Sequence, residues 1–344
     1  MKLNFCTLFD KNYLARGLVL FDSLERVCSD FNLFVLAFDD DCYSYLQSIK
    51  KENLIAVRLQ DFENEALLKA KAERSAAEYC WTCSASSIHF FIEKYKLDHC
   101  TYIDADMYFY SDPEVLIREM GNNSVLITPH NYSPEYDNSS ISGRYCVQFV
   151  CFKNTADGMA VLNWWKDSCI DWCFDRVEDG KFGDQKYLDE FSSRFSGVYE
   201  CNHPGAGIAP WNLQQYEFEK EDDKLVGVHR SDNMKFVPVF FHFHGLKFYQ
   251  NNIVNYAGGY YEIKAPVFEF FYEPYVQLLA EKAKNVRASG FHFDPNGGSR
   301  VSPSRPLDVR LKMYFYLSGL KQSLRNVGLS YLRQRISRHY FYYY

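Results

Sequence analysis

Short apolar runs that stop at acidic turns constrain this chain more than any other feature. Residues 3–9 are mostly apolar and end at Asp10. Residues 33–38 end in Asp39-Asp40-Asp41, and residues 101–103 end in Asp104-Ala105-Asp106. Runs this short, bounded by polar turns, suit strands buried on both faces. Between them lie stretches with helical spacing: 13–27, where Leu14, Leu18, Phe21 and Leu24 share a face, and 64–95. Strands alternating with helices predict an α/β fold, a mainly parallel layered sheet with crossover helices. Ligands of such sheets sit at the carboxyl ends of the strands, where the three acidic turns fall. Further strands are expected at 54–59, 124–128, 147–152 and 237–243, and helices at 155–175 and 184–195. Residues 129–143 read as a long loop able to cover a site. Residues 201–212 read as turn-rich and 287–306, with Gly, Ser, Pro and Asn, as a linker.

Composition limits the function classes. Hydrophobic residues are 47% of the 344, enough for a sizeable core, and aromatics are 18%. The net charge of −6 argues against a general nucleic-acid binder. From Arg300 onward there are nine basic residues and one acid, Asp308, so that stretch is +8 and residues 1–299 are −14. The eleven cysteines are odd in number and scattered, which reads as reduced, buried thiols and a cytoplasmic protein. Cys80 and Cys83 form one CxxC pair without a second at zinc-finger spacing. The sequence from Met1 goes straight into the first strand, so no signal peptide is expected. No apolar stretch is long enough for a membrane span.

Four constellations carry chemistry. Asp104 and Asp106 leave a strand at i and i+2 and point the same way. Hard cations such as Mg²⁺ or Mn²⁺ take such oxygen ligands and share their shell with phosphates. The plain alternative is a solvated turn. His242-Phe243-His244-Gly245-Leu246-Lys247 offers an imidazole for Mn²⁺ (His242, with His244 as the alternative), a glycine for close approach and a lysine for a diphosphate. Gly183-Asp184-Gln185 opens a helix, where Asp184 is either a cap or a group beside a sugar. In Asp10-Lys11-Asn12-Tyr13, Tyr13 can stack on a nucleobase and Asp10 can accept a hydrogen bond from one.

Together, and in this order, these motifs resemble the GT-A glycosyltransferases of the retaining family that includes glycogenin and the lipopolysaccharide galactosyltransferases. The matching residues are Asn12-Tyr13, Tyr102-Ile103-Asp104-Ala105-Asp106, Asp184-Gln185 and His242-Phe243-His244-Gly245, across about residues 3–250. The resemblance implies a Mn²⁺ or Mg²⁺ site made by Asp104, Asp106 and His242, and a UDP-sugar donor. It also implies Gln185 on the sugar face that a retaining mechanism uses, and Asp184 on sugar hydroxyls. Asp10, Asn12, Tyr13, Asp104, Gly245 and Lys247 would bind the donor. Three departures stand out. The family's arginine upstream of the acidic motif falls near Ser87, Lys247 is one residue closer to the glycine, and Gln148 stands where the family has a different polar strand residue. Gln148 is therefore a catalytic candidate with Asp184 and Gln185. The resemblance further implies a divergent bacterial branch serving surface-polysaccharide synthesis.

Residues 1–286 are thus expected to be catalytic, 287–306 a linker, and 307–344 a basic amphipathic helical tail. Leu317, Leu320, Leu324 and Val327 recur at helical spacing there beside Lys321, Arg325, Arg333 and Arg335. Such a helix reads as binding a membrane surface, on the inner face of the cytoplasmic membrane, or a partner enzyme. The expected substrates are a nucleotide-sugar donor and a glycan or lipid-linked acceptor, with no nucleic acid. A sugar nucleotidyltransferase needs a Gly-rich basic loop after the first strand, and Leu8-Phe9-Asp10-Lys11-Asn12 is not one. An inactive nucleotide-sugar-binding scaffold is the other alternative.

Overall fold

A computed structural model describes residues 1–298, apart from 223, 251–252 and 258–259, together with the short stretch 340–342. Eight strands frame the first two hundred residues: β1 (Leu3–Phe9), β2 (Phe31–Ala37), β3 (Leu54–Arg58), β4 (His99–Ile103), β5 (Met107–Phe109), β6 (Val125–Pro129), β7 (Tyr145–Lys153) and β8 (Val198–Glu200). Seven of them form one sheet in the order β3-β2-β1-β4-β7-β6-β8. β7 alone runs against its two neighbours, and the other six point the same way. The expected α/β layering with a mainly parallel sheet is therefore present.

The period-two alternation of strand side chains builds the layers. From β1 and β2, Leu3, Phe5, Leu33 and Val35 enter one core with Leu14, Leu18, Phe21 and Leu24 of the Leu14–Val27 helix. Cys6, Leu8, Phe34 and Leu36 enter the opposite core with the Ala76–Tyr95 and Ala156–Asp171 helices. Trp165 is fully buried there, and truncating such a residue to alanine costs about 3–5 kcal/mol. Burial on both faces explains why the strand sequences run apolar instead of alternating.

Three elements differ from expectation for local reasons. The helical stretch 64–95 is two helices, Glu65–Ala72 and Ala76–Tyr95. Ser75 and Glu78 form a reciprocal capping box, which starts a new helix and overrides the continuing periodicity. The helix at 184–195 is a 3-10 turn, Gln185–Glu190, followed by one turn at Phe191–Arg194. Of the apolar run 237–243 only Phe240–His242 pairs as a strand, because Pro238 has no N–H to give a ladder.

The high aromatic content is largely core. Phe241, Phe243, Phe271, Tyr272 and Tyr275 fill a third cluster around the Glu273–Ala288 helix, with the Phe243 and Tyr275 rings stacked at 3.7 Å. After that helix the chain returns to the first one, where the Ala15 N–H donates to the Pro295 carbonyl at 3.0 Å. All eleven cysteines are free thiols and nine are buried. Among the described residues, no helix is long and apolar enough to cross a membrane. The basic tail lies outside the described residues, save for Tyr340–Tyr342, which pairs as a strand with Ile253–Asn255.

Candidate metal and donor site

Two strand pairings assemble the site. β4 ends at Ile103, so Asp104 emerges at the carboxyl edge of the sheet. β5 follows Asp106 at once and pairs antiparallel with Phe240–His242, in a register that sets His242 opposite Met107. The Phe243 N–H donates to the Asp106 carbonyl at 2.9 Å and locks that register beside the acidic turn. β7, running the other way, sets Ile103 opposite Phe149, and the Asp104 N–H donates to the Gln148 carbonyl at 3.2 Å. Residues far apart in sequence thus meet through backbone ladders.

Asp104, Asp106 and His242 each turn one ligand atom into a common space, all within 4.8 Å of one another. The His242 Nε2 lies 3.1 Å from Asp106 Oδ1 and 3.8 Å from Asp104 Oδ2. On its other side His242 Nδ1 is 2.8 Å from Gln148 Oε1. An amide oxygen only accepts, so Nδ1 carries the proton of that bond and Nε2 faces the carboxylates. An outer partner that fixes the imidazole in this way is characteristic of metal-binding histidines. Two carboxylates and one imidazole suit Mn²⁺ or Mg²⁺. Burial opposes a charge on His242, but the facing Asp106 and Asp104 outweigh it and raise its pKa well above the usual value. Burial raises Asp104 to about 6, against the pull of His242. Burial works against Asp106 as well, yet His242, Arg16 and His244 hold it down at about 2.

The surroundings are concave. Asp104 and Asp106 keep 29% and 15% of their side-chain surface open to water, and Tyr13 keeps 42%, although all three are strongly desolvated by nearby protein. Groups that are both wet and crowded line a recess. Tyr13 stands over Arg16, whose guanidinium carbon is 4.3 Å from the ring centroid, and its hydroxyl feels the charge of Asp106 and Asp104. Asp10 closes its own turn, accepting from the Asn12 and Tyr13 N–H groups at 2.9 and 3.2 Å and from Asn12 Nδ2 at 2.7 Å. The His244 ring is 5.7 Å from that of His242 and lies outside the three-residue ligand group. Gly245 has φ +77°, a left-handed conformation that favours glycine, and leads to the exposed Lys247. Asp184 is buried without a capping bond from its side chain. Desolvation raises it to about 7, opposed by the Ser84 hydroxyl and reinforced by Asp104. Gln185, half-buried, begins the 3-10 turn after it.

No protein-family model matches the chain. YfnF of Bacillus subtilis (strain 168), an uncharacterized protein, is 35% identical over 251 residues, which span 71% of this chain and 81% of YfnF. This chain belongs to the YfnF family. YfnD of the same organism, also an uncharacterized protein, is 28% identical over 295 residues, 83% of this chain and 91% of YfnD. Among solved structures, the galactosyltransferase LgtC with donor and acceptor sugar analogs gives a TM-score of 0.46 at 12% identity, covering 81% of this chain and 96% of its own. The glycosyltransferase GlyE of Streptococcus pneumoniae TIGR4 gives 0.47 at 12% identity, covering 83% and 64%. Mouse xyloside xylosyltransferase 1 gives 0.45 at 10% identity, covering 71% and 98%.

Sequence reasoning missed one charged group of the site. Ser87 is buried and bonds the Ser84 carbonyl at 2.7 Å, so it offers no cation. The nearby cation is Arg16, 2% exposed on the first helix. It donates to the Leu246 carbonyl at 3.0 Å and the Asn296 carbonyl at 3.3 Å, while its charge lowers Asp106. One guanidinium therefore fastens the His242–Lys247 loop and the 294–297 segment to the base of Tyr13. The signal was available: an arginine between Ala15 and Gly17, in the otherwise apolar stretch 14–21 that opens the helix, is a charge that folding must bury and pair.

Proposed function

We propose that this chain is a metal-dependent glycosyltransferase of the GT-A type. It moves a sugar from a nucleotide-diphosphate donor, a UDP-sugar, to a glycan or lipid-linked acceptor in surface-polysaccharide synthesis. The observation that carries this reading is the convergence of Asp104, Asp106 and His242 at the carboxyl edge of a mainly parallel sheet. Asp104, Asp106 and His242 would hold Mn²⁺ or Mg²⁺, which when bound stabilises negative charge on a departing diphosphate.

The chain's own groups divide the remaining work. Tyr13, set on the Arg16 guanidinium, presents its ring to a nucleobase. Asn12 and Asp10 shape that turn, and Asp10 already spends much of its accepting capacity there. Gly245 lets backbone approach the diphosphate, and Lys247 adds a cation. Asp184 holds sugar hydroxyls, and Gln185 occupies the face of the sugar that retention needs. Gln148 orients His242. No strong protein base is required if the leaving phosphate oxygen takes the acceptor proton on the same face. The basic tail would hold the protein at an anionic membrane surface or on a partner enzyme. A panel of nucleotide sugars tests the reading: the expected result is Mn²⁺-dependent nucleotide release, and NMR of the product shows the donor's anomeric configuration retained. An inverted product removes retention, and binding of UDP without turnover by any donor leaves only a scaffold.

A further inference from the structure

The recess does not end at the metal-binding side chains. Trp211 stands edge-on to His242 and His244, with ring centroids 5.4 Å from each. On its other sides it meets His130 at 5.2 Å and Tyr132 at 6.2 Å. Tyr132, Tyr136 and Tyr261, all half-buried, pack on the small core of Cys146, Ala209 and Trp211. Tyr136 and Tyr261 meet edge-to-face at 5.1 Å, and the adjoining Tyr260 is 82% exposed. A series of aromatic rings thus leads from the metal-binding imidazole to the surface.

These rings are held in place by their polar ends. The Trp211 Nε1 donates to the His130 carbonyl at 2.8 Å, and Asn212 Nδ2 donates to the same carbonyl at 2.9 Å. The hydroxyls of Tyr132 and Ser142 are hydrogen-bonded at 2.9 Å. The Tyr136 hydroxyl accepts from the Glu262 N–H at 2.9 Å. Gly207 shapes the same turn at φ +75°, where an added Cβ would come within 3.0 Å of Gln148 Nε2. Three separate segments are tied together so that tyrosine rings stay at the water boundary. Pre-set rings cost little entropy when they bind something.

The chemistry of the surface selects its occupant. One face of a pyranose is a row of C–H groups carrying slight positive charge, which complements the negative face of an aromatic ring. Residues 131–142 contain Glu135 and Asp137 and no lysine or arginine, which disfavours an anionic headgroup or a polyphosphate. We propose that Tyr132, Tyr136 and Tyr261, backed by the buried Trp211, form the acceptor platform, and that the acceptor is a neutral saccharide chain. Its reacting end lies towards Trp211 and its outer sugars lie along the tyrosines. This inference rests on the glycosyltransferase reading, and the two fail separately. Donor turnover by the parent protein tests that reading, whereas saccharide binding tests the platform.

Saturation-transfer NMR on the full chain with Mn²⁺ and UDP, using lactose, maltotriose and diacetylchitobiose as probes, decides the matter. At least one probe is expected to receive saturation on its C–H face. Its affinity falls about tenfold in Tyr136→Ala and Tyr261→Ala, the size of one lost stacking contact. Tyr136→Phe keeps the ring and loses only its tether to the Glu262 N–H, so its affinity is expected to fall less than that of Tyr136→Ala. If an alanine variant does not fold, as judged by its melting curve, Tyr260→Ala at the exposed end replaces it and is expected to weaken the same probe. Three results would overturn the platform: no probe binding to the parent, binding that all the alanine variants keep, or binding instead of anionic phospholipid vesicles that those variants lose.

Discussion

Two acidic turns leave neighbouring parts of the same sheet, and they have opposite fates. After β2, Asp39 accepts from the Cys42 N–H as a helix cap and from the Lys11 N–H, both at 2.8 Å. Asp41 pairs with the Lys11 ammonium at 2.6 Å. Those carboxylates are occupied by donors of their own neighbourhood. After β4, Asp104 and Asp106 instead face each other and His242 inside a recess, where desolvation is strong. Both edges are acidic, with three aspartates at 39–41 and two at 104 and 106. The second turn differs in that its carboxylates face a buried imidazole at 3.1 and 3.8 Å, where Asp41 of the first has a lysine ammonium.

The comparison breaks most visibly at the second turn. Asp104→Asn or Asp106→Asn is expected to weaken Mn²⁺ binding, followed by EPR titration, by about a hundredfold or more. A change of a few fold would put the cation elsewhere. Gln148→Met removes the acceptor for His242 Nδ1 while keeping volume, so Mn²⁺ affinity is expected to drop by about ten- to a hundredfold. Unaltered affinity would show that the imidazole needs no outer partner.

Asp184 gives a pH test of the same recess. Its folded-state pKa of about 7 exceeds the ordinary carboxyl value of 3.8. Between those values the unfolded chain releases a proton that the fold keeps, so stability falls as pH rises through this window and levels off above it. Asp184→Asn is spared that loss. Its Tm advantage over the parent is expected to grow from about pH 4 to about pH 7 and then stay constant. An advantage that shrinks over this range would mean that Asp184 is ionised and paired in the fold. The smallest effect belongs to the first turn. Asp39→Ala loses a helix cap and costs about 1 kcal/mol in denaturant melts, with Mn²⁺ affinity unchanged.

What the sequence made legible follows from which contacts are local. The layering could be read because strand and helix periodicities are properties of single segments, as in 3–9 and 13–27. Asp104 and Asp106 could be read because strand geometry fixes their common direction. The contact of Gln148 with His242 spans 94 positions and depends on β7 running antiparallel, which no local pattern announces. Arg16 reaches the carbonyl of Leu246 across 230 positions, so its place beside Asp106 is a product of packing. The break at Ser75 was written in the sequence as a capping box inside a longer helical period. The tail helix expected at 307–344 falls outside the described residues, apart from the strand at Tyr340–Tyr342.

If Asp104, Asp106 and His242 hold the cation on which sugar-nucleotide cleavage depends, cleavage follows the metal. Nucleotide release from the UDP-sugar panel, measured before and after chelation and again after adding Mn²⁺, tests it most directly. Release should vanish with the metal, return with Mn²⁺ in the parent protein, and fail to return in Asp104→Asn. Release that persists undiminished after chelation, or that Mn²⁺ restores equally in Asp104→Asn, would mean that these three residues do not hold a cation that cleavage needs.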